Sequence, residues 1–157
     1  IISEYLDISD AVIFERTTLR PPLYWDNFPV NDGGLQKNLY IGPVRGREVG
    51  LQKYSAGLVS NPMLQFEMSQ IPLFTIGDYL WKTSTYNPDQ SWENALVALI
   101  DHQEDRVALR KFLRTSMGTA VGGDPAPDLR QVFRKGVTHW RAGRLVEAGQ
   151  VFIDAGE

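Results

Sequence analysis

Everything strand-like in this chain falls within its first 61 residues, and no other feature constrains the fold as much. "LYW" (Leu23 to Trp25) follows the proline pair Pro21-Pro22 and reads as a short buried strand. "LYIGPV" (residues 39–44) reads as a second extended piece, broken by Gly42-Pro43. "SAGLVSN" (residues 55–61) reads as another short strand that ends at Asn61-Pro62. Beyond it only helical spacing recurs. The order is helix, strand, loop, strand, then helices, which suggests the end of an α/β domain joined to a helical domain. Two short buried parallel strands cannot form a sheet alone, because such strands need neighbours on both edges and helices on both faces. The first third is therefore expected to be the tail of a larger sheet or barrel. The chain opens on Ile1 rather than Met, which agrees with a piece of something longer.

The helices have readable signals. Asp7 can cap "ISDAVIFERTTL", with Ile8, Val12 and Phe14 as its apolar face, and "RPP" stops it. Asn61-Pro62 reads as the cap and first residue of a long apolar helix. That helix carries Leu64, Phe66, Met68, Ile71, Phe74, Ile76, Leu80 and Trp81, and Pro72 is expected to kink or divide it. "NPDQSWENALVALI" restarts a helix with Ser91 or Asp89 as cap. "EDRVALRKFLRTSM" is a further helix with Val107, Leu109, Phe112 and Leu113 inward. "GTAVGGDPAP" is the one clear linker. After it, Leu129, Val132, Phe133, Val137 and Trp140, then Leu145, Ala148, Val151 and Phe152, recur at helical spacing. The expected division is residues 1–103 as the C-terminal part of a barrel domain and 104–157 as a helical domain, with the linker at about 118–127.

Composition removes several classes of function. The formal charge of −3 argues against nucleic acid as the main partner, since phosphate binding needs a basic surface. Arg110, Lys111, Arg114, Arg130, Arg134, Lys135, Arg141 and Arg144 read as solvated faces of amphipathic helices. The absence of cysteine excludes disulfides and thiolate metal sites. "DHQED" (residues 101–105) gathers acids and His102, but His139 is the only other histidine, so solvated helix ends explain it better than a metal. No apolar run reaches the roughly 18 residues of a membrane span. There is no phosphate loop, nucleophile elbow or paired-histidine metal motif, and no cofactor is expected.

One stretch remains as candidate chemistry. "YWDNFPVNDGG" places Trp25, Asp26, Asn27, Asn31 and Asp32 just past the first strand. In a (β/α)₈ barrel, polar residues beyond the carboxyl end of a strand line the active site. An indole wall beside a carboxylate and amides suits a sugar, whose apolar face packs on the ring while its hydroxyls take fixed hydrogen bonds. The alternative is that Asn31-Asp32-Gly33 simply makes a turn. Asn61 follows its strand in the same way. It reads as a helix cap, as a second polar group of the site, or as both.

"RPPLYWDNFPVND", then "LYIGPVRGR", then "GLVSNPMLQFEMSQIPLFTIGDYLW" resembles the C-terminal part of the catalytic domain of glycoside hydrolase family 84. These are the O-GlcNAcases and related bacterial β-N-acetylglucosaminidases, some of them called hyaluronidases. The resemblance covers roughly Asp7 to Ile100, and its W-x-N-x-x-x-N-D block with the later S-N-P is fairly specific. It implies a (β/α)₈ TIM-type barrel, here only its C-terminal strands and helices, followed by a helical domain. It implies removal of terminal β-linked N-acetylglucosamine, on glycoprotein or glycan, with retention. In that scheme the sugar's own acetamide is the nucleophile, one Asp orients it, and the adjacent Asp is acid and then base. This departs from the ordinary two-carboxylate scheme. Residue by residue, the resemblance makes Trp25 a wall of the acetamide pocket and Asn27 a hydrogen-bonding partner near the reacting centre. It makes Asp32 the ligand of the 4- and 6-hydroxyls, and Asn61 that of the 3- or 4-hydroxyl. Asp26 has no matching role, so Asp32→Ala is expected to cost much more than Asp26→Ala.

The departure is as informative as the match. The chain has no adjacent Asp pair, and Glu4, Asp7 and Asp10 are not in the family context. The family tyrosine upstream of the block also has no match. No catalytic residue is therefore expected here. The chain is expected to be a fragment, inactive alone, whose partner is the rest of the barrel. The rival expectation is a non-catalytic helical interaction module that keeps a remnant of barrel sequence. The family has secreted and intracellular members, so the resemblance carries no compartment.

Overall fold

The computed structural model describes residues 3–36, 38–114, 134–139 and 141–154. Helix α1 (Ile8–Thr18) is capped as expected: the Asp7 carboxylate accepts the Asp10 backbone N–H at 2.8 Å and the Ser9 hydroxyl at 2.8 Å. Those two donors, the backbone one first, hold the Asp7 pKa below its ordinary value. The helix ends where Leu19 turns left-handed (φ 59°) and its N–H reaches back to Glu15 O. Its buried residue is Ala11, and Phe14 is exposed. Phe14 stands six residues from Ile8, which is roughly a third of a turn off the inward stripe.

Strand β1 (Leu23–Asp26) pairs in parallel with β2 (Gly57–Ser60), in the register Leu23↔Gly57 to Asp26↔Ser60. These are the only strands of the sheet among the described residues, and they close no barrel. The expected burial of β1 holds for one face only. Tyr24 and Asp26 point inward, while Leu23 and Trp25 are 65% and 57% exposed. Val59, paired with Trp25, shares the uncovered face. An α/β region with a small parallel sheet thus precedes an all-α region, consistent with part of a TIM-type barrel.

Among the described residues, the segment between the strands contains no α-helix, only 3₁₀ turns at Gly33–Leu35 and Leu51–Lys53. Residues 39–44 join no ladder, yet Tyr40, Ile41 and Val44 are buried. Side chains satisfy their backbone groups instead. Ile41 O accepts from Trp92 Nε1 (2.8 Å), Val44 N–H donates to Thr75 Oγ1 (3.0 Å), and Val44 O accepts from the Tyr86 hydroxyl (2.8 Å).

Helix α2 (Phe66–Trp81) starts later than Asn61-Pro62 suggested, and its N-cap is Gln65, whose side chain makes no capping bond. The reason is that Asn61, just past β2, is still tied to the end of β1: its N–H donates to Asp26 O at 2.9 Å. Leu64 and Phe66 consequently lie outside the buried face and are exposed. The helix runs through Pro72 undivided. Helix α3 (Pro88–Leu99) packs on α2. Its cap is Asn87, which accepts from Gln90 N–H at 3.0 Å, rather than Ser91 or Asp89. Ser91 lies a turn inside and is buried. Helix α4 (Gln103–Arg114) directs Leu109 and Leu113 inward and leaves Val107 exposed. Helical residues 134–139 (α5) and α6 (Leu145–Asp154) follow, with Ala148 buried and Leu145 exposed. The linker, Leu129, Val132, Phe133 and Trp140 lie outside the described residues.

One core joins Phe28, Ile41, Val44 and Met63 to Ile71, Ile76 and Tyr79 of α2, Trp92 and Leu96 of α3, and Leu113 of α4. A smaller cluster holds Leu6, Ala11, Tyr24 and Leu51. Leu58 of β2 touches both clusters. Tyr79 and Tyr86 meet edge to face at 5.5 Å, and burial pushes the pKa of each up to about 12.

Candidate functional site

The carboxyl ends of β1 and β2 lie side by side, so the next residue of each, Asn27 and Asn61, occupies an equivalent place beyond the sheet. Their side chains meet. Asn27 Oδ1 accepts from Asn61 Nδ2 at 3.1 Å and from Trp25 Nε1 at 2.9 Å. Both lone pairs of that oxygen are thereby occupied, and the half-buried Asn27 keeps its NH₂ as a donor with no bond to the described residues. The Asn61 oxygen accepts no bond from the described residues, so it offers the opposite polarity beside it. Trp25 contributes an exposed indole alongside. One apolar face, one amide donor and one amide acceptor converge within a few ångströms, the kind of surface that holds a polyhydroxylated ring.

Asp32 lies on the same loop but outside this hydrogen-bonded group. It starts the turn Gly33–Leu35, where its main-chain oxygen accepts from Leu35 N–H (2.9 Å) and Gly33 takes a positive φ of 54°. The turn reading of "NDGG" is therefore correct for the backbone. The Asp32 carboxylate makes no capping bond and is exposed, which leaves it available for another partner.

Asp26 with Arg47, Asn31 and Ser60 hold these groups in place; the sequence set Asp26 and Asn31 in the candidate stretch but gave none of the four this supporting part. Asp26 is 4% exposed and accepts two bonds from Arg47, Nε to Oδ2 at 2.8 Å and Nη2 to Oδ1 at 2.6 Å. Arg47 Nη1 also donates to the carbonyls of Arg45 (2.9 Å) and Glu4 (3.2 Å). Gly46 beside it has φ 73°, and a Cβ there would fall 2.0 Å from Glu4 O. Asn31 is fully buried, donating from Nδ2 to Asn38 O (2.9 Å) and Gln65 Oε1 (2.8 Å), and accepting Leu64 N–H (3.2 Å). Ser60 Oγ donates to Phe28 O at 2.6 Å. Strand alternation was the available signal for Asp26: it must face opposite to Trp25, hence inward.

No group of three or more His, Cys, Asp or Glu among the described residues could hold a metal ion, and residues 101–105 are exposed. A cavity of about 240 Å³ opens at the other end of β1, between Pro22–Tyr24 and α1, and none of Trp25, Asn27, Asp32 or Asn61 lines it.

Parallel strands with a polar and aromatic cluster at their carboxyl ends define part of an α/β domain of the kind that binds ligands there. The chain belongs to the β-N-acetylglucosaminidase family, whose model matches residues 1–114; this is the glycoside hydrolase family 84 or O-GlcNAcase group. It is 24% identical over 110 residues to the protein O-GlcNAcases of Rattus norvegicus and Mus musculus, covering 70% of this chain and 11% of each relative. Its fold matches a mutant of the Thermobaculum terrenum O-GlcNAc hydrolase with TM-score 0.81 and 29% identity, over 98% of this chain and 33% of that one. It also matches CpGH84B with TM-score 0.72 and 25% identity, over 91% of this chain and 25% of that one. The chain thus spans about a tenth of the curated relatives.

Proposed function

We propose that this chain supplies sugar-binding residues to a retaining exo-β-N-acetylglucosaminidase that releases terminal β-linked N-acetylglucosamine by substrate-assisted catalysis. The observation that carries the proposal is the meeting of Trp25, Asn27 and Asn61 at the carboxyl ends of paired parallel strands, in a chain of this family. Trp25 packs on the acetamide side of the sugar. The Asn27 NH₂ donates near the reacting centre, the Asn61 oxygen accepts from a ring hydroxyl, and the Asp32 carboxylate binds the 4- and 6-hydroxyls. The acetamide oxygen attacks the anomeric carbon and the leaving oxygen takes a proton from an acid. Water then opens the oxazoline, with that group acting as base. The adjacent Asp pair that performs the proton work is assigned to another part of the full-length enzyme, since this sequence contains no such pair.

The partners are then the rest of the barrel and a terminal sugar on glycoprotein or glycan, not nucleic acid. No described helix is long and apolar enough to cross a membrane. The test is turnover of a chromogenic β-N-acetylglucosaminide. Full-length protein should hydrolyse it, and the isolated chain should not. Robust turnover by the isolated chain would overturn the division of labour, and an inert full-length protein would overturn the activity.

A further inference from the structure

We propose that Asn31 and Gln65 are positioning residues that set where the Asp32 carboxylate stands relative to Asn27 and Asn61. The inference rests on the sugar-binding reading of Asp32 and goes one step behind it. Asp32 begins an exposed turn, and its side chain has no hydrogen bond to the described protein that would fix its place. Asn31, one residue earlier, is fully buried and immobilised by its amide. Two of its bonds cross to the segment after β2: Nδ2 to Gln65 Oε1 at 2.8 Å, and Oδ1 from Leu64 N–H at 3.2 Å. The third, to Asn38 O at 2.9 Å, closes the far side of the loop that contains Asp32. The loop bearing Asp32 is therefore fastened to the stretch that begins at Asn61. A buried amide with every polar atom paired is a rigid link.

Gln65 has a position that marks this purpose. It is the N-cap of α2, where a side chain ordinarily bonds to the first helical N–H groups, yet it makes no such bond. Its amide reaches Asn31 instead. Gln65 is itself exposed, so its removal opens the link without emptying a core position.

The experiment uses the full-length protein with Gln65→Ala, Gln65→Glu, Asp32→Ala and the double variant Gln65→Ala/Asp32→Ala. Michaelis constants on a chromogenic β-N-acetylglucosaminide are read beside thermal melts. Gln65→Ala should raise KM about two- to tenfold, the size of one hydrogen bond, with the melt and kcat nearly unchanged. Gln65→Glu keeps an acceptor for Asn31 Nδ2 and should recover most of the loss. In the Asp32→Ala background, Gln65→Ala should add nothing, because the group it positions is gone. If the two losses add in full, or Gln65→Ala leaves KM untouched, the positioning role is wrong while the sugar-binding reading stands. If Asp32→Ala itself leaves KM unchanged, the sugar-binding reading fails and takes this inference with it.

Discussion

At the scale of the residue, Asp26 and Asp32 separate two kinds of importance. Asp26 is buried against Arg47 with both oxygens engaged, so Asp26→Ala strands a buried guanidinium. Breaking such a pair costs about 3–5 kcal/mol of stability. Asp32→Ala removes an exposed carboxylate and should leave urea unfolding nearly unchanged while weakening a sugar mimic by roughly tenfold or more. Chemical denaturation beside ligand titration distinguishes them; equal stability losses would contradict the assignment. The family motif singled out Trp25, Asn27, Asn61 and Asp32; the structure joins the first three by hydrogen bonds and leaves Asp32 outside them. The sequence could not place Arg47 against Asp26, because a pairing across 21 positions of irregular chain leaves no periodic trace.

At the scale of the element, two Asn-Pro pairs have opposite fates. Asn87-Pro88 is a cap and first helical residue; Asn61-Pro62 directly follows β2 and starts no helix. Local chemistry favours a cap at both, and tertiary pairing with Asp26 overrides it at Asn61. Asn87→Ala should therefore lower unfolding free energy by about 1 kcal/mol, measured by urea titration, without altering sugar affinity. Asn61→Ala should do the reverse. The core tyrosines give a second prediction. Tyr79 and Tyr86 ionise at about 12 in the fold, against an ordinary value of 10.0. Both are neutral in their protonated form, so the folded state holds protons that the unfolded state has released between those values. Their contribution is full below pH 10.0 and is lost as pH rises through about 12. Unfolding titrations across that range should show falling stability with a shallower slope in Tyr86→Phe. The αβ order and the Asp7 cap were legible in the sequence, and helix phase only in part: Ile71, Ile76, Leu109 and Leu113 face inward as spacing suggested, while Phe14, Phe66 and Val107 are exposed. The run at 39–44 was legible as extended but not as ladder-free, since side chains from α2 and α3 satisfy its backbone.

At the scale of the whole molecule, the sheet is the most informative part. Two strands with Leu23, Trp25 and Val59 exposed on one face are what a slice of a larger barrel should present. The need for neighbours was readable in the sequence because two buried-type strands are too few. The helix-free crossover was not, because Tyr40, Ile41 and Val44 carry the same apolar signal whether they join a sheet or pack on helices. Under the proposed function, the sugar grip requires both strands to stay in register and the rest of a barrel to cover their open face. The most direct measurement is calorimetric titration of the full-length protein with a non-hydrolysable transition-state mimic of N-acetylglucosamine, wild type against Asn27→Ala, Asn61→Ala and Asp32→Ala. Tight binding by the wild type and marked loss in all three variants is the predicted result. Undiminished binding in the three variants would contradict the account.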